Sequence, residues 1–265
     1  MTGTILDEII NAKRIRIEES KRKTNLDTLK TRCNGRERIA SNRFYEALAD
    51  TSRLNIIAEF KRASPSKGVI SGRDPNDTAL AYQTGGAAAI SVLTEEDFFD
   101  GSLDDICAVR SAVEIPVLRK DFIVDAYQIY ESAASGADAI LLIVAALSQR
   151  DLIELHSLAQ SVGLDILVEV HDRNELDSAI EIDAKLIGVN NRNLKTFEVN
   201  IDVSRDLIRS KPAGALMIAE SGLQTSAELN ELRELGFSGF LIGETFMRSG
   251  DPEKVLREFS GHGHR

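Results

Sequence analysis

Eight short apolar runs, separated by stretches of helical character, constrain the fold of this chain more than any other feature of its sequence. The runs lie at about 54–60, 87–93, 116–120, 139–145, 165–170, 186–190, 216–221 and 239–243. They lack a clean polar alternation, which is typical of strands buried on both faces of a parallel sheet. Eight strand-then-helix units over about 210 residues favour a closed α/β barrel of the (β/α)8 or TIM-barrel type. An open doubly wound sheet is the alternative.

The segments between the runs carry signals for helix starts and ends. Asp74-Pro75 provides an N-cap followed by proline at the first helical position, and Gly85-Gly86 ends that helix. Further pairs resemble capping boxes, namely Ser102 with Asp105, Ser148 with Asp151, Asp172 with Glu175, and Thr225 with Glu228. Gly236 closes one of the later helices, and Asp251-Pro252 begins the last one. No G-x-G-x-x-G or Walker motif follows any run, which disfavours the doubly wound sheet.

Residues 1 to about 50 precede the first run and have a different pattern. Ile5, Leu6 and Ile9 share one face of a helix that extends through Arg22, and a second helix is predicted over Ser41–Asp50. We therefore predict one barrel domain over residues 1–265, with residues 1–50 as a helical extension that is either padding or a lid. The chain stops after the eighth helix pattern, so we expect no second fused barrel.

Composition excludes several classes of partner. With 32 Lys and Arg against 42 Asp and Glu, the net charge of −10 argues against nucleic acid or an anionic membrane as the main partner. No stretch approaches the roughly 18 apolar residues of a membrane span, and the N-terminal residues match neither a signal peptide nor a transit peptide. Cys33 and Cys107 lie far apart and in no C-x-x-C motif, so we expect a cytoplasmic protein.

Metal-binding patterns are missing from the sequence. The four histidines form no H-x-x-x-H motif, and we interpret His262 and His264 as part of a frayed tail. We therefore expect neither a metal nor a cofactor.

Polar residues follow six of the eight runs, at the ends that would share one rim of a barrel. Catalytic groups lie at this rim in barrels of this kind. The polar ends are Glu59 with Lys61, Arg119-Lys120-Asp121, Glu169 with His171, Asn190-Asn191-Arg192-Asn193, Glu220-Ser221, and Gly243-Glu244. Glu59 and Lys61 are two residues apart in a strand, so their side chains should project together. One such end could simply be where a strand meets water, but six at one rim predict a functional mouth.

Two small-residue turns follow the last two runs and suggest a phosphate site. Ser221-Gly222 and Gly243-Glu244 each lie near a helix start, where exposed backbone N–H groups could hold an anion. A carboxylate should repel phosphate. We therefore expect the N–H group of Glu244 to face the anion while its side chain points away.

Long segments of the chain resemble the indole-3-glycerol phosphate synthase family. The matching segments are Ile57-Ala58-Glu59-Phe60-Lys61-Arg62-Ala63-Ser64-Pro65-Ser66, Val117-Leu118-Arg119-Lys120-Asp121-Phe122, Leu167-Val168-Glu169-Val170-His171, Ile187-Gly188-Val189-Asn190-Asn191-Arg192-Asn193-Leu194, and Ile218-Ala219-Glu220-Ser221-Gly222. They occur in family order and span essentially the whole chain. The resemblance implies conversion of 1-(2-carboxyphenylamino)-1-deoxyribulose 5-phosphate to indole-3-glycerol phosphate, CO2 and water, in tryptophan biosynthesis.

The resemblance also implies roles in acid and base catalysis. Lys120 matches the family lysine that protonates the substrate ketone, and a lysine suits that role best if its pKa is depressed. For the dehydration we expect Lys61 as acid and Glu59 as base. Glu169 would orient these groups or take part in the same proton transfers, and Asn190 would position them. The aniline nitrogen of the substrate supplies electrons, so this chemistry needs no metal or cofactor.

The remaining assignments by resemblance concern substrate binding. Arg192 would contact the substrate carboxylate, and Glu220 would contribute to the substrate site. The phosphate would be held by Ser64, Ser221, Gly222, Gly243 and Glu244. Phe99, Phe122 and Leu194 would form the apolar pocket for the anthranilate ring, although each could be ordinary core. Some family members have Gly-Ser where this chain has Gly243-Glu244, so a side-chain role for Glu244 is not implied.

Two other functions compete with this interpretation. Phosphoribosylanthranilate isomerase is another phosphate-binding barrel, but that family has Cys and Asp where this chain has Glu59 and Asn190. A barrel that binds a phosphorylated ligand or a protein without catalysis is the second alternative, and it would not need both lysines and both glutamates. We expect a phosphorylated small-molecule substrate, no nucleic acid, no membrane, and a monomer, with a weak dimer as the alternative.

Overall fold

The computed structural model describes residues 4–34 and 42–260, and its centre is a closed barrel of eight parallel strands. The strands are β1 (Ile56–Phe60), β2 (Ala89–Leu93), β3 (Val117–Lys120), β4 (Ala139–Ile143), β5 (Asp165–Val170), β6 (Leu186–Asn190), β7 (Leu216–Glu220) and β8 (Gly239–Ile242). Each strand pairs with its neighbours in sequence, and β8 closes the barrel against β1. The predicted closed barrel is confirmed, and the open sheet is wrong.

Helices surround the strands in the alternating pattern that the sequence predicts. In the described ranges they are α1 (Ile5–Lys23), α2 (Leu26–Asn34), α3 (Arg43–Ala49), α4 (Pro75–Thr84), α5 (Leu103–Ala112), α6 (Ala126–Ser135), α7 (Gln149–Val162), α8 (Arg173–Glu181), α9 (Asp202–Leu207), α10 (Ser226–Leu235), α11 (Glu244–Arg248) and α12 (Pro252–Phe259). Short 3-10 turns cover Val144–Ala146 and Ile208–Ser210. In the loop after β1, Ala63–Ser64 pairs with Gly68–Val69 as a small hairpin that the sequence analysis did not predict.

Most of the predicted caps are present. The Asp74 side chain accepts hydrogen bonds from two N–H groups of α4, and Thr225 with Glu228 forms a complete capping box on α10. Gly236 ends α10 in the left-handed region, at φ 116°. The pair Ser102 and Asp105 is a correction, because the Ser102 side chain accepts from the N–H of Asp104 instead.

Side chains alternate along the strands between the barrel interior and the surrounding helices. In β3, the apolar Leu118 and the cation Lys120 belong to the interior, whereas Arg119 lies outside and pairs with Glu131 of α6. The same alternation places Glu169 above Leu167 in β5. Apolar side chains therefore fill the lower interior of the barrel, and polar ones form the layer at the carboxyl ends of the strands.

The N-terminal extension covers both ends of the barrel. Helix α1 lies at the carboxyl-end rim, where Lys13 forms ion pairs with Glu96 at 2.5 Å and with Asp121 at 3.0 Å. Helix α3 covers the opposite end, where the N–H groups of Phe44 and Tyr45 donate to the Asp165 carboxylate at the start of β5. The extension therefore covers the carboxyl-end rim with α1 and closes the opposite end of the barrel with α3.

Some predictions for the extension and the tail need correction or lie outside the described residues. The predicted helix over Ser41–Asp50 begins at Arg43, and Ser41 itself lies outside the described ranges. Helix α2 was not predicted. The predicted frayed tail with His262 and His264 also lies outside the described residues. Within residues 4–34 and 42–260, no helix combines the length and the hydropathy needed to cross a membrane.

Candidate active site

A cavity of about 1030 Å³ opens at the carboxyl ends of the strands. Every residue to which the sequence analysis assigned a catalytic or binding role lines it, namely Glu59, Lys61, Ser64, Phe99, Lys120, Phe122, Glu169, Asn190, Arg192, Leu194, Glu220, Ser221, Gly222, Gly243 and Glu244. They come from the carboxyl ends of β1, β3, β5, β6, β7 and β8 and the loops that follow, and Phe99 comes from the loop after β2. Parallel strands closed into a barrel bring these distant segments together.

Glu59 and Lys61 form an ion pair at the end of β1. Lys61 Nζ lies 2.6 Å from Glu59 Oε1, and the Glu59 side chain is buried. Gly243 makes this arrangement possible, because a Cβ at that position would lie 2.6 Å from Glu59 Oε1. The glycine therefore makes room for a carboxylate of the site, a role that the sequence analysis did not assign to it.

Lys120 lies at the centre of a group of carboxylates. Its Nζ is 2.7 Å from Glu169 Oε2 and 3.2 Å from Glu220 Oε2. Both carboxylates are almost completely buried, and the Lys120 side chain is only 13% exposed, at the wall of the cavity. A buried cation of this kind is stable only with an anionic partner, which Glu169 of β5 supplies here.

The expected depression of the Lys120 pKa is wrong for this arrangement. Burial disfavours the ammonium form, but the negative charges of Glu169, Glu220 and Glu59 outweigh burial and raise the pKa of Lys120 above its ordinary value. A depressed pKa would require burial together with a second cation that repels the ammonium group. The second cation, Lys61, is instead paired with Glu59.

The two carboxyl groups around Lys120 differ in charge state. Burial opposes ionisation of Glu169, but Lys120 and His171 lower its pKa below the ordinary value. Burial raises the pKa of Glu220 to about 8, and repulsion from Glu169 adds to this while Lys120 opposes it. Glu169 is therefore the anion of the pair, and Glu220 is the group that holds a proton more readily. Such a difference between neighbouring carboxyl groups is typical of acid and base pairs in active sites.

A glycine on the adjacent strand makes room for Glu220. A Cβ at Gly188 of β6 would collide with Glu220 Oε1. That oxygen is buried and makes no hydrogen bond to the described residues. A buried carboxyl oxygen without a hydrogen-bond partner is unusual in a purely structural ion pair and is typical of a functional site.

Glu169 also contacts residues on the side away from Lys120. Asn190 donates a hydrogen bond from Nδ2 to Glu169 Oε1 at 3.2 Å. His171 Nε2 lies 3.3 Å from the same oxygen, and His171 Nδ1 lies 2.9 Å from Glu175. The sequence analysis quoted His171 in a motif but assigned no role to it.

One wall of the cavity is apolar and partly aromatic. The rings of Phe99 and Phe122 lie 6.1 Å apart between centroids, and Leu194 packs against the same cluster. Helix α1 adds Ile5, Leu6 and Ile9 to this wall, a contribution that the sequence pattern did not indicate. An apolar slot of this kind suits a flat aromatic ring.

Another part of the cavity wall contains the two small-residue turns. Ser221 and Gly222 are both left-handed, with φ of 65° and 77°. For a non-glycine residue such as Ser221 this conformation costs about 1–3 kcal/mol and is frequent at ligand sites. Ser64 lies in the same cavity, in the loop after β1.

Two cations on this wall were missed by the sequence analysis. Arg248 lies 3.1 Å and Lys67 3.9 Å from the Glu244 carboxylate, and both line the cavity. They offset the negative charge that seemed out of place at a phosphate site. Lys67 becomes a neighbour of Glu244 only through folding, whereas Arg248 lies four residues after Glu244 on α11. In the described part of the chain, no group of three or more His, Cys, Asp or Glu is arranged to hold a metal ion.

Comparison with known proteins decides the family. The family model described as "Indole-3-glycerol phosphate synthase" matches residues 6–259. The chain belongs to the indole-3-glycerol phosphate synthase family. The synthase of Burkholderia vietnamiensis is 46% identical over 95% of this chain and 97% of its own length. That of Ruminiclostridium cellulolyticum is 46% identical over 97% of this chain and 99% of its own.

Solved structures with little sequence similarity share the fold alone. Thiamine phosphate pyrophosphorylase from Pyrococcus furiosus superposes with a TM-score of 0.59 at 16% identity, covering 78% of this chain and 93% of that one. KGPDC from Streptococcus mutans gives a TM-score of 0.57 at 10% identity and covers 78% of this chain and 96% of that one. Both confirm the barrel architecture.

Membership of the indole-3-glycerol phosphate synthase family confirms the function predicted from the sequence motifs. The family's enzymes are carboxy-lyases of tryptophan biosynthesis. The phosphoribosylanthranilate isomerase alternative is therefore wrong. The roles of the individual residues of the cavity stay predictions.

Proposed function

We propose that this cavity converts 1-(2-carboxyphenylamino)-1-deoxyribulose 5-phosphate to indole-3-glycerol phosphate, with Lys120 as the central catalytic group. The observation that carries the proposal is the position of Lys120 between Glu169 and Glu220, at 2.7 and 3.2 Å. The same cavity is lined by the apolar side chains of Phe99, Phe122 and Leu194 and by the small-residue turns that follow β7 and β8. This combination matches a substrate with an aromatic ring at one end and a phosphate at the other.

The two walls bind the two ends of the substrate in this proposal. The anthranilate ring lies against Phe99, Phe122 and Leu194, with its carboxylate directed towards Arg192. The phosphate contacts Ser64 and the turns at Ser221-Gly222 and Gly243-Glu244, partly through backbone N–H groups. Lys67 and Arg248 add positive charge near the phosphate.

Ring closure comes first. The ring carbon that bears the carboxylate attacks the ketone carbon, and electrons from the aniline nitrogen form the new C–C bond. Negative charge develops on the ketone oxygen, where the Lys120 ammonium stabilises it and delivers a proton. A raised pKa is compatible with this role because an alkoxide is a stronger base than an amine. Loss of CO2 then returns the electron pair to the ring and restores its aromaticity.

Dehydration completes the reaction. The hydroxyl group made from the ketone leaves as water after accepting a proton, and a base removes a proton from the neighbouring CH2 group. We assign Lys61 as the acid and Glu59 as the base, because their side chains are paired at 2.6 Å at the cavity wall. Glu169 and Asn190 hold Lys120 in place. Protonated Glu220 donates a hydrogen bond to a substrate hydroxyl.

We further propose that the chain acts in the cytoplasm as a monomer, on a small phosphorylated molecule and not on nucleic acid. The two cysteines in no paired motif and the net charge of −10 support the location and the choice of partner. Every proposed site residue comes from the same chain, so a second copy is not needed to complete the site.

Steady-state kinetics with the anthranilate-derived substrate test the assignment of Lys120. Product is followed by the appearance of its indole fluorescence, for the wild type and for Lys120→Met. We expect kcat to fall by about 10²–10⁴-fold, the range for loss of a positioned acid. Lys185→Met, an exposed lysine paired with Asp183, is the matched control and should keep wild-type rates.

The same experiment separates catalysis from binding. A wild-type protein that binds the substrate but forms no indole product would contradict the proposal and favour the non-catalytic barrel. Equal rates for the wild type and Lys120→Met would leave the reaction standing and remove Lys120 from its centre.

A further inference from the structure

His171 stands directly behind Glu169, on the side opposite to Lys120. It follows β5 and precedes the N-cap of α8. Its Nε2 atom is buried and lies 3.3 Å from Glu169 Oε1, without a hydrogen bond to the described residues. The side chain is only 12% exposed and is not among the described residues that line the cavity. A substrate in the cavity would therefore meet Glu169 and not the imidazole ring.

Glu175 fixes the orientation of the imidazole. Glu175 Oε2 lies 2.9 Å from His171 Nδ1 and accepts a hydrogen bond from the His171 backbone N–H at 2.7 Å. This double contact holds the ring at the start of α8, with Nδ1 towards one carboxylate and Nε2 towards the other. A histidine between two carboxylates is held in its doubly protonated form.

We propose that His171 is a positioning residue for the reaction, which keeps Glu169 ionised and aligned with Lys120. This inference rests on the proposed function, because Glu169 matters here as the partner of the catalytic lysine. In the proposed arrangement, Glu169 has one cation on each oxygen: Lys120 on Oε2 at 2.7 Å and His171 near Oε1 at 3.3 Å. Asn190 contributes a neutral donor to Oε1.

The charges around His171 support this role. Glu169 faces it from β5 and Glu175 from α8, whereas the neighbouring β6 contributes the neutral Asn190. The 3-10 turn Val144–Ala146, which follows β4 and packs against α8 and β5, has no titratable side chain. Burial opposes the imidazolium, but Glu169 and Glu175 raise the pKa of His171 to about 10. The ring is therefore positively charged at neutral pH.

Loss of this charge has a defined consequence for Glu169. A single opposite charge within about 4–6 Å lowers the pKa of a carboxyl group by about 1–3 units. Without His171 the pKa of Glu169 rises, and at low pH its proton disrupts the pair with Lys120. Activity should then decline at a higher pH than in the wild type, while substrate contacts stay the same.

The test compares pH profiles of kcat and KM for the wild type, His171→Gln and His171→Asn. Gln places a neutral donor near the position of Nε2, whereas Asn retains only the contact at the position of Nδ1. We expect the acidic limb of kcat to move upward by about one pH unit or more in both variants, with KM nearly unchanged. Gln should retain more activity than Asn, because it still orients Glu169.

Two further variants provide the comparison. Glu175→Gln leaves the imidazole in place but removes one of its two anions, so its acidic limb should move in the same direction by a smaller amount. His156→Gln is the matched control, since His156 is a buried histidine on α7 outside the site, and its profile should match that of the wild type. Thermal unfolding establishes that each variant is folded.

Titration of the histidine side chains by NMR gives a second readout that does not require turnover. The His171 ring should stay protonated well above neutral pH in the wild type and titrate at lower pH in Glu169→Gln. A uniform fall in kcat with an unchanged pH profile, or a His171 ring that is neutral at pH 7, would overturn the inference. Absence of product with the wild type would instead overturn the proposed function.

Discussion

At the residue scale, two glycines without side chains allow the charged groups of the cavity to come together. Three carboxyl groups and two ammonium groups share a small volume, and two glycines supply the space that they occupy. Gly188 faces Glu220, and Gly243 faces Glu59. Sequence reasoning assigned Gly243 to phosphate binding, whereas the structure gives it a second constraint inside the barrel. That constraint is visible only once β1 and β8 are adjacent.

Gly188→Ala tests this constraint. The new Cβ would collide with Glu220 Oε1, so the carboxyl group must move away from Lys120. We expect kcat to fall by about 10²-fold, as for a misplacement of about 1 Å at an active site. Gly250→Ala, where a Cβ meets nothing within 4 Å, is the control for the steady-state measurement. An unaffected kcat in Gly188→Ala would show that the position of Glu220 is not critical.

The pH dependence of Glu220 gives a second prediction at the residue scale. Burial raises its pKa to about 8, so the protonated fraction falls as pH rises through that value. If the proton is needed, kcat/KM of the wild type should decline above about pH 8. Glu220→Gln cannot ionise and should lack this alkaline limb at a lower maximal rate. If the decline of kcat/KM at alkaline pH persists in Glu220→Gln, the titration of another group causes it.

At the scale of elements, helix α1 is attached to the catalytic rim by a buried ion pair. Lys13 is almost completely buried and contacts Glu96 in the loop after β2 and Asp121 in the loop after β3. Burial opposes the charge of Asp121, but Lys13 and Arg119 lower its pKa to about 2. The helix that forms part of the apolar wall is thus held by charges next to Lys120, the proposed catalytic lysine. The amphipathic pattern predicted the helix but not this attachment, because its partners are distant along the chain.

Lys13→Met should weaken both the fold and substrate binding. Removing one partner of a buried ion pair costs about 3–5 kcal/mol, and we expect the lower end because Arg119 still neutralises Asp121. KM should rise, since Ile5, Leu6 and Ile9 are then held less firmly. Urea unfolding and steady-state kinetics measure the two effects. Arg16→Met removes an exposed pair with Asp97 and should cost no more than about 1 kcal/mol.

On the scale of the whole molecule, the two ends of the barrel have separate tasks. The carboxyl ends carry the cavity, and the amino ends carry contacts that hold α3 and the strands together. Asn55 illustrates the second kind, since its Nδ2 lies 2.8–2.9 Å from the carbonyl oxygens of Leu48, Asp50 and Ser238. Residues that stabilise the fold and residues that carry the chemistry thus occupy different positions along a strand.

Two asparagines at opposite ends provide a test of this division. Asn55→Ala leaves buried carbonyl groups without a donor, so the free energy of unfolding should fall by about 1–3 kcal/mol while kcat is unchanged. Asn190→Ala should lower kcat, because it removes the donor to Glu169, and should change stability less. Equal effects of both variants on kcat would contradict the division of the barrel into two ends.

Much of the fold follows from local patterns in the sequence. The eight apolar runs and the caps at Asp74 and Thr225 predicted the barrel and its helices, because strand burial and helix capping depend on neighbouring residues. The residues that face the cavity followed from their place at strand ends and from the family resemblance. The charge states did not follow, since the pKa of Lys120 depends on Glu169 and Glu220 from other strands. Helix α2 and the position of Lys67 beside Glu244 were missed because no local signal marks them, whereas Arg248 lies only one helical turn after Glu244.

The alternation in β3 has a consequence for how this chain can change in length. Arg119 and Lys120 are consecutive cations, one directed to the helices and one to the interior. Deleting a single residue within the strand would reverse the faces of the residues that follow. The Arg119 guanidinium would then point into the interior towards Glu169, in the place of the Lys120 ammonium group. Insertions and deletions should therefore accumulate in the connecting loops, while the distance from the first apolar residue of each strand to its polar end stays fixed.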